Sequence, residues 1–482
     1  MSLGGIPLRT IANPLRQNRQ LNDKKIIVFV QLFGGNDGLN TLVPYEDSAY
    51  YKGRPTLALR KNELIRIHDT LGFHPSLASF DALFKEGKVS IIQNVGYEQP
   101  NRSHFRSTDI WNSASDAEEY VYDGWAARYL SSGSKGRLEE LTYPLAVELG
   151  WAGSMLIEEH KHPHGLFMNS LEEYEKLSQK NGNVPFDPAD PLKDAELEYI
   201  KTIALQSNRF TSKIKVASDK GRNKVAYPDT FLGRQLAIVA KLIAGGLETG
   251  VYVTKLNGFD THYLQLEPHA ALLSQFSDAI YAFQKDLDAL AVADQVSTLV
   301  YSEFGRRVQE GGFGTDHGTA APIFVVGDSV RGGIIGRNPN LTNLDSNGDL
   351  VHKYDFRQVY TTILNDHLGF DATTIMNKEF TTLPIYKNSI DPFPESAFVL
   401  DNIYPNPFQD ETSVAYRLFE RSLVELVVFD PRGVLVAPLV NEYQHSGAYV
   451  AAVNIARLPP ATYVCSMKVK GVYESKRIIK VT

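Results

Sequence analysis

The chain has 482 residues, more than one ordinary hydrophobic core supports, so a large domain with a smaller companion is expected. Its hydrophobic content of 43%, charged content of 22% and net charge of -7 are those of a soluble globular protein, and they give no reason to expect a nucleic-acid partner. No apolar stretch approaches the length needed to cross a bilayer.

Residues 1–24 form a polar lead-in without a charged and apolar leader pattern, which reads as a start that replaces a removed export signal. From Lys25 to Leu32 the chain is continuously apolar and then breaks into Gly34-Gly35-Asn36-Asp37-Gly38. A β-branched run stopped by glycines predicts a buried parallel strand with a loop at its carboxyl end. The same pattern recurs at Val89 to Val95, Tyr143 to Leu149, Gly250 to Leu256, Val296 to Tyr301 and Pro322 to Val326. Thr230 to Leu247 and Ala270 to Val292 are apolar at helical spacing. The charged stretch from Leu171 to Pro228 predicts a helical insertion or cap.

Strands alternating with helices predict an α/β fold with a mostly parallel sheet over residues 25–390. Ligands of such folds gather at the carboxyl ends of the strands. A proline-punctuated linker, 391–401, then leads into short alternating segments from 402 to 482: Thr412 to Leu418, Val424 to Phe429, Ala448 to Ile455, Thr462 to Val469 and Glu474 to Val481. Their spacing predicts a small all-β Ig-like sandwich. The single cysteine, Cys465, falls within one of these strands and reads as a small core hydrophobe.

Five segments carry residues suited to chemistry. Asp260 and His262 stand two residues apart at a strand end, where both can reach one cation. Glu303 and Arg306 follow another strand, and Asp316-His317 sits between glycines that leave the backbone open. Asn36 and Asp37 occupy the first glycine-rich turn. Ser103, in Asn101-Arg102-Ser103-His104-Phe105, precedes a helix whose free amides favour an alkoxide or oxyanion. The competing reading of Ser103 is an ordinary helix cap. Together the five predict a site on one sheet edge.

Asn402-Ile403-Tyr404-Pro405-Asn406-Pro407-Phe408, with the later Asp430-Pro431-Arg432-Gly433 turn, Ser446 to Tyr449 and Pro460 to Tyr463, resembles the C-terminal sorting domains of the type IX secretion system of Bacteroidetes. That resemblance implies a secreted or cell-surface protein and the type IX machinery as partner. An Ig-like binding or spacer module is the alternative. In the large domain, Gly34 to Thr41 (GGNDGLNT), Ser103 to Phe105 (SHF), Phe259 to His262 (FDTH), Ser302 to Arg306 (SEFGR) and Asp316 to Gly318 (DHG) resemble a bacterial branch of the alkaline phosphatase and sulfatase superfamily.

The superfamily resemblance implies hydrolysis of phosphate or sulfate esters, on a small-molecule or glycan substrate, with divalent metal (Zn, Mn, Ca or Mg), one ion or two. It implies Ser103 as nucleophile, His104 and Arg306 as catalytic partners, and Asp37, Asp260, His262, Glu303, Asp316 and His317 as metal ligands. Two positions depart from the pattern: Gln31 stands where a ligand Asp is usual, and Phe304 where a ligand His is. Those departures open a second reading, a non-enzymatic surface protein with a degenerate metal site.

Overall fold

The computed structural model describes residues 25–134, 143–150, 153–159, 162–163, 165–172, 210–389, 398–418, 421–445, 447–470 and 472–481. The chain divides into two compact units, Met1–Pro392 and Phe393–Thr482. The lead-in lies outside the described residues, as does most of the charged stretch 171–228, of which 210–220 are helical.

In the large unit one sheet runs in the order Gly333–Ile335, Val89–Gly96, Ala321–Val326, Val296–Tyr301, Ile26–Phe33, Val251–Asn257, Ala146–Leu149 and Gly165–Met168, with the short Tyr354–Asp355 strand also pairing Val89–Gly96. Alternation splits the central strand between two cores, because successive side chains point to opposite faces. Val28, Val30 and Leu32 pack with the helices Phe231–Ala244 and Leu266–Ala289. Ile27 and Phe29 face Trp111, Trp125 and Tyr360. These belong to the helices His104–Ser113, Trp125–Ser134 and Phe356–Thr362. The expected α/β layering, with helices on both faces of a mostly parallel sheet, is what the structure has.

One strand departs from the expectation. Ala321–Val326, read as parallel, runs antiparallel to both neighbours, Val296–Tyr301 and Val89–Gly96. No helix intervenes between it and Val296–Tyr301; the chain makes a two-stranded ribbon, Arg306–Glu310 with Thr315–His317, and comes straight back. Without a crossover helix the return is antiparallel. Residues just before this strand therefore reach the same sheet edge as residues just after the parallel strands.

The small unit has one core between two antiparallel sheets, one of three strands (Phe398–Tyr404, Glu411–Leu418, Gly447–Asn454) and one of four (Leu435–Gln444, Ser422–Phe429, Ala461–Val469, Val472–Lys480). Two of its strands were not anticipated. Phe398–Tyr404 begins inside the segment read as a linker, and Leu435–Gln444 lacks alternation because its residues are exposed or half-buried throughout. Cys465 is buried in this core, which pushes its thiol up to about 12.

Candidate metal centre

All five predicted segments meet at the carboxyl edge of the sheet. Parallel register holds Ile26–Phe33 between Val251–Asn257 and Val296–Tyr301, so the turns after these strands are neighbours. Arg306 joins them. Fully buried, it donates Nε to the Gly35 carbonyl (2.7 Å), Nη1 to the Thr315 carbonyl (2.7 Å), and Nη2 to the Gly34 and Phe259 carbonyls and Asp260 Oδ1 (2.5, 3.0 and 2.7 Å). Three loops are thus held by one guanidinium, whose donors are committed within the protein.

Around Asp260 three imidazoles converge. Its Oδ1 lies 2.9 Å from His262 Nε2, 3.1 Å from His317 Nε2 and 3.3 Å from His104 Nε2. The Nε2 atoms of His262 and His317 are 2.9 Å apart. The other ring nitrogens explain which atoms face inward. His104 Nδ1 is 2.8 Å from Glu303 Oε1, and His317 Nδ1 is 2.7 Å from the Arg102 carbonyl. Carbonyls and carboxylates only accept, so both Nδ1 atoms carry a proton, and in the neutral rings both Nε2 atoms present lone pairs. His262 Nδ1 sits 3.7 Å from Asp316 Oδ1.

Lone pairs facing a carboxylate repel it unless a cation stands among them, a metal ion or a second proton on the ring. His104 Nε2 shows the consequence: it is buried and has no hydrogen-bond partner. The three Nε2 separations from Asp260 Oδ1 and the one between His262 and His317, 2.9 to 3.3 Å, are close to the roughly 3.3 Å expected around a tetrahedral ion with bonds of about 2.0 Å. Imidazoles that donate their far nitrogen to a carboxylate or carbonyl are the usual support of a metal ligand. The described residues offer two candidate groups of this kind, His104–Asp260–His317 and His262–Asp316–His317.

Electrostatics follow this arrangement. The Glu303 hydrogen bond raises the His104 imidazole above its ordinary value, against a partial opposing effect of burial. Burial would raise Asp260, but the Arg306 and His317 bonds outweigh it and bring the carboxyl to about 2. Asp316 is lowered by the backbone N–H of His317 that it accepts.

Several predicted residues stand elsewhere or act differently. Asp37 is fully buried, and its carboxylate is committed to partners other than the three histidines around Asp260. It caps the short helix Gly38–Thr41, pairs with Arg54 (2.6 Å) and accepts from Gln265 (2.5 Å). Burial works against its charge, yet Arg54 wins and its carboxyl is lowered. Asn36 accepts from Thr41 and His269. Glu303, also buried, stands one step behind the ligands, accepting from His104 and the Gly34 N–H (2.8 Å). Ser103 is the exposed N-cap of His104–Ser113, but its hydroxyl makes no capping bond, and Asn101 Oδ1 accepts its N–H instead (2.9 Å). The Arg102 side chain is drawn away to Asp349 and Asp345.

Phe304 packs against His104 and His317, with centroids 4.9 Å from each, and a Cβ on Gly35 would come within 2.5 Å of its ring. Gln31 is buried and reaches Thr108 at 3.4 Å. The sequence reading gave His104 a role at the reacting group rather than among the ligands. Its place at the first position of a strand-following helix was the available signal.

Residues 402–481 match the family described as a secretion system C-terminal sorting domain, and residues 214–380 match a family described as a protein of unknown function (DUF1501). The second segment holds Asp260, His262, Glu303 and His317. None of the curated proteins matches the chain. Structural neighbours are sulfatases and enzymes of the alkaline phosphatase superfamily. PsFucS1 sulfatase from Pseudoalteromonas sp. is 11% identical, with 89% of this chain and 83% of that chain covered and a TM-score of 0.33. An alkaline phosphatase superfamily protein from Vibrio parahaemolyticus is 10% identical over 86% and 82%, with a TM-score of 0.35. The phosphonate monoester hydrolase of Silicibacter pomeroyi is 8% identical over 94% and 88%, with a TM-score of 0.33. Among the described residues no helix is long and apolar enough to cross a membrane. The chain ends in a secretion sorting domain, which marks it as secreted or held at the cell surface.

Proposed function

We propose that the large unit is an extracellular hydrolase of phosphate or sulfate esters, built around one divalent ion held by His104, Asp260, His262 and His317. The convergence of three Nε2 atoms on Asp260 Oδ1 carries this reading. Three imidazoles and one carboxylate suit zinc or manganese better than calcium or magnesium, which favour all-oxygen shells. Such an ion supplies Lewis acidity toward an ester oxygen.

The chain's own residues supply the rest. Ser103 has an uncommitted hydroxyl at a helix N-terminus, where the amides and dipole favour a developing oxyanion. Arg306 sets the loops, and Asp260 keeps its charge through that contact. Glu303 and the Arg102 carbonyl orient two of the ligand rings.

Metal analysis of the purified protein, with turnover of aryl phosphates and aryl sulfates by wild type, Ser103→Ala, Asp260→Asn and His317→Ala, tests the proposal. About one ion per chain, and turnover lost in each variant, is the expected result. Turnover unaffected by all three substitutions overturns it. Phe304, packed against two of the ligand rings, favours a second reading, a metal-holding surface protein without catalysis. Bound metal with no turnover of any ester is its signature.

A further inference from the structure

The turns that carry the ligands also carry large apolar side chains that the fold leaves in solvent. Phe105, next to His104, is 82% exposed; Tyr263, next to His262, is 66% exposed; Phe313, three residues before Asp316, is 55% exposed. Leu264 beside them is 60% exposed. Scattered apolar residues on a surface need no explanation, but a group of them at the mouth of a polar site does.

These side chains are also held in place. The Tyr263 and Phe313 rings meet edge to face with centroids 6.4 Å apart. Their two turns are bonded together: Gln265 N–H donates to the Phe313 carbonyl (3.0 Å), Thr315 N–H to the Thr261 carbonyl (3.3 Å), and Thr315 Oγ1 to Gln265 Oε1 (2.6 Å). Gly314 lies so close that a Cβ there would come 2.2 Å from the His262 carbonyl. Leu264 and Phe313 both adopt left-handed backbone, at φ 49° and 69°. That conformation is sterically strained for a bulky L-residue, and residues kept there mark sites where the position of the chain matters. Neither residue gains burial in return. The strain holds aromatic and aliphatic surface outward, beside the ligands.

The same segments carry exposed polar groups. Asp316 and Glu267 are exposed carboxylates, and Ser103 adjoins Phe105. A lipid chain wants a continuous apolar groove, and a simple aryl ester needs one ring slot. Aromatic faces interleaved with carboxylates and a hydroxyl suit a sugar, whose C–H faces pack on rings while its hydroxyls bond to carboxylates. A protein sorted out of the cell meets such sugars as long chains.

Resting on the ester-hydrolase reading above, we propose that Phe105, Tyr263 and Phe313 form a sugar-binding platform, and that the substrate is a sulfated or phosphorylated glycan, with the ester-bearing sugar ring packed on the platform.

Binding separates this inference from the reading it rests on, because it needs no turnover. Size-defined dextran sulfate oligosaccharides, unmodified dextran oligosaccharides of the same length and p-nitrophenyl sulfate are titrated calorimetrically into the full chain. Wild type, Tyr263→Ala/Phe313→Ala, Phe105→Ala and a control, Tyr443→Ala in the small unit, are compared, and bound metal is measured in each. The expected result is an affinity for the dextran sulfate oligosaccharide that falls at least tenfold in the double variant and about threefold in Phe105→Ala. The control and the metal content stay unchanged. Equal affinity in wild type and double variant, or wild-type binding of p-nitrophenyl sulfate without any oligosaccharide binding, overturns the platform. Oligosaccharide binding lost in the aromatic variants, in a protein that holds no metal and turns over no ester, retains the platform and removes the hydrolase. Metal and aryl ester turnover without sugar binding does the reverse.

Discussion

The two units bury polar groups for different purposes. In the small unit, Lys480 donates to the carbonyls of Ile455, Ala456 and Leu458, and Asp430 accepts from the N–H groups of Arg432 and Val434. There, side chains answer backbone, and a turn or strand end is closed. In the large unit, Arg306 does the same for three loops, but beside it imidazole lone pairs and a carboxylate face one another. Among them is His104 Nε2, which is buried beside Asp260 without a well-directed hydrogen bond. Convergence of ring nitrogens on a carboxylate distinguishes the site from the scaffold, and it appears at the ends of the parallel strands.

Metal removal draws the largest contrast. Chelation is expected to lower the large unit's unfolding transition in calorimetry and leave the small unit's within error. The double variant His104→Ala/His317→Ala should hold less than a tenth of the wild-type zinc. A chelator effect on both transitions, or on neither, breaks the comparison. Next comes Arg306→Met. Leaving Asp260 and four carbonyls without their partner should cost about 3–5 kcal/mol of large-unit stability by denaturant unfolding. Lys480→Met, which strands three carbonyls near the surface, should cost the small unit about 1.5–3 kcal/mol. Equal losses would mean that Arg306 does no more than Lys480.

Acid should separate the units too. Burial lowers His74 and His367 to about 4 each, and His367 donates Nε2–H to the Ile26 carbonyl. A histidine depressed in the folded state stays neutral there while the unfolded chain takes up protons. Its contribution is therefore complete above the ordinary value near 6.5 and is lost as pH falls toward 4. The large unit should lose on the order of 3 kcal/mol per buried histidine over that window. The small unit's one histidine, His445, is exposed, so its transition should stay nearly flat. Parallel acid curves for the two transitions would contradict this.

Much of this was legible in the residues. Strands ending in glycine clusters announced the sheet edge, since an apolar run and a φ-permissive turn are both local properties. The edge then gathered Asp260, His262, Asp316 and His317 because sheet geometry left them no other place. What stayed hidden were choices made between segments. Asp37 sits in the same loop as expected, yet Arg54 and Gln265 claim it, and only tertiary packing brings those two near. Arg306 looked like a free cation at a strand end; five acceptors from distant loops make it structural. The direction of Ala321–Val326 was invisible because a buried strand has the same composition either way. Leu435–Gln444 carries no burial period to read.

Glu303→Gln tests the smallest step, the one between scaffold and site. Glutamine keeps the shape and an acceptor oxygen, so the Gly34 N–H and His104 Nδ1 can still be answered, and the fold should lose less than about 1 kcal/mol. The substitution removes the negative charge that raises His104 and makes its far nitrogen a better donor. Groups in this position typically change metal affinity by about 10–100-fold. Zinc affinity measured by competition with a chromophoric chelator should fall within that range, while stoichiometry at saturating zinc stays at one ion per chain. Unchanged affinity would make Glu303 a scaffold residue like Asp430, a carboxylate that serves its own turn and the neighbouring Arg432. A loss within the range would show the same side chain doing both jobs at once: closing the Gly34 turn and tuning the ring that turn helps to place.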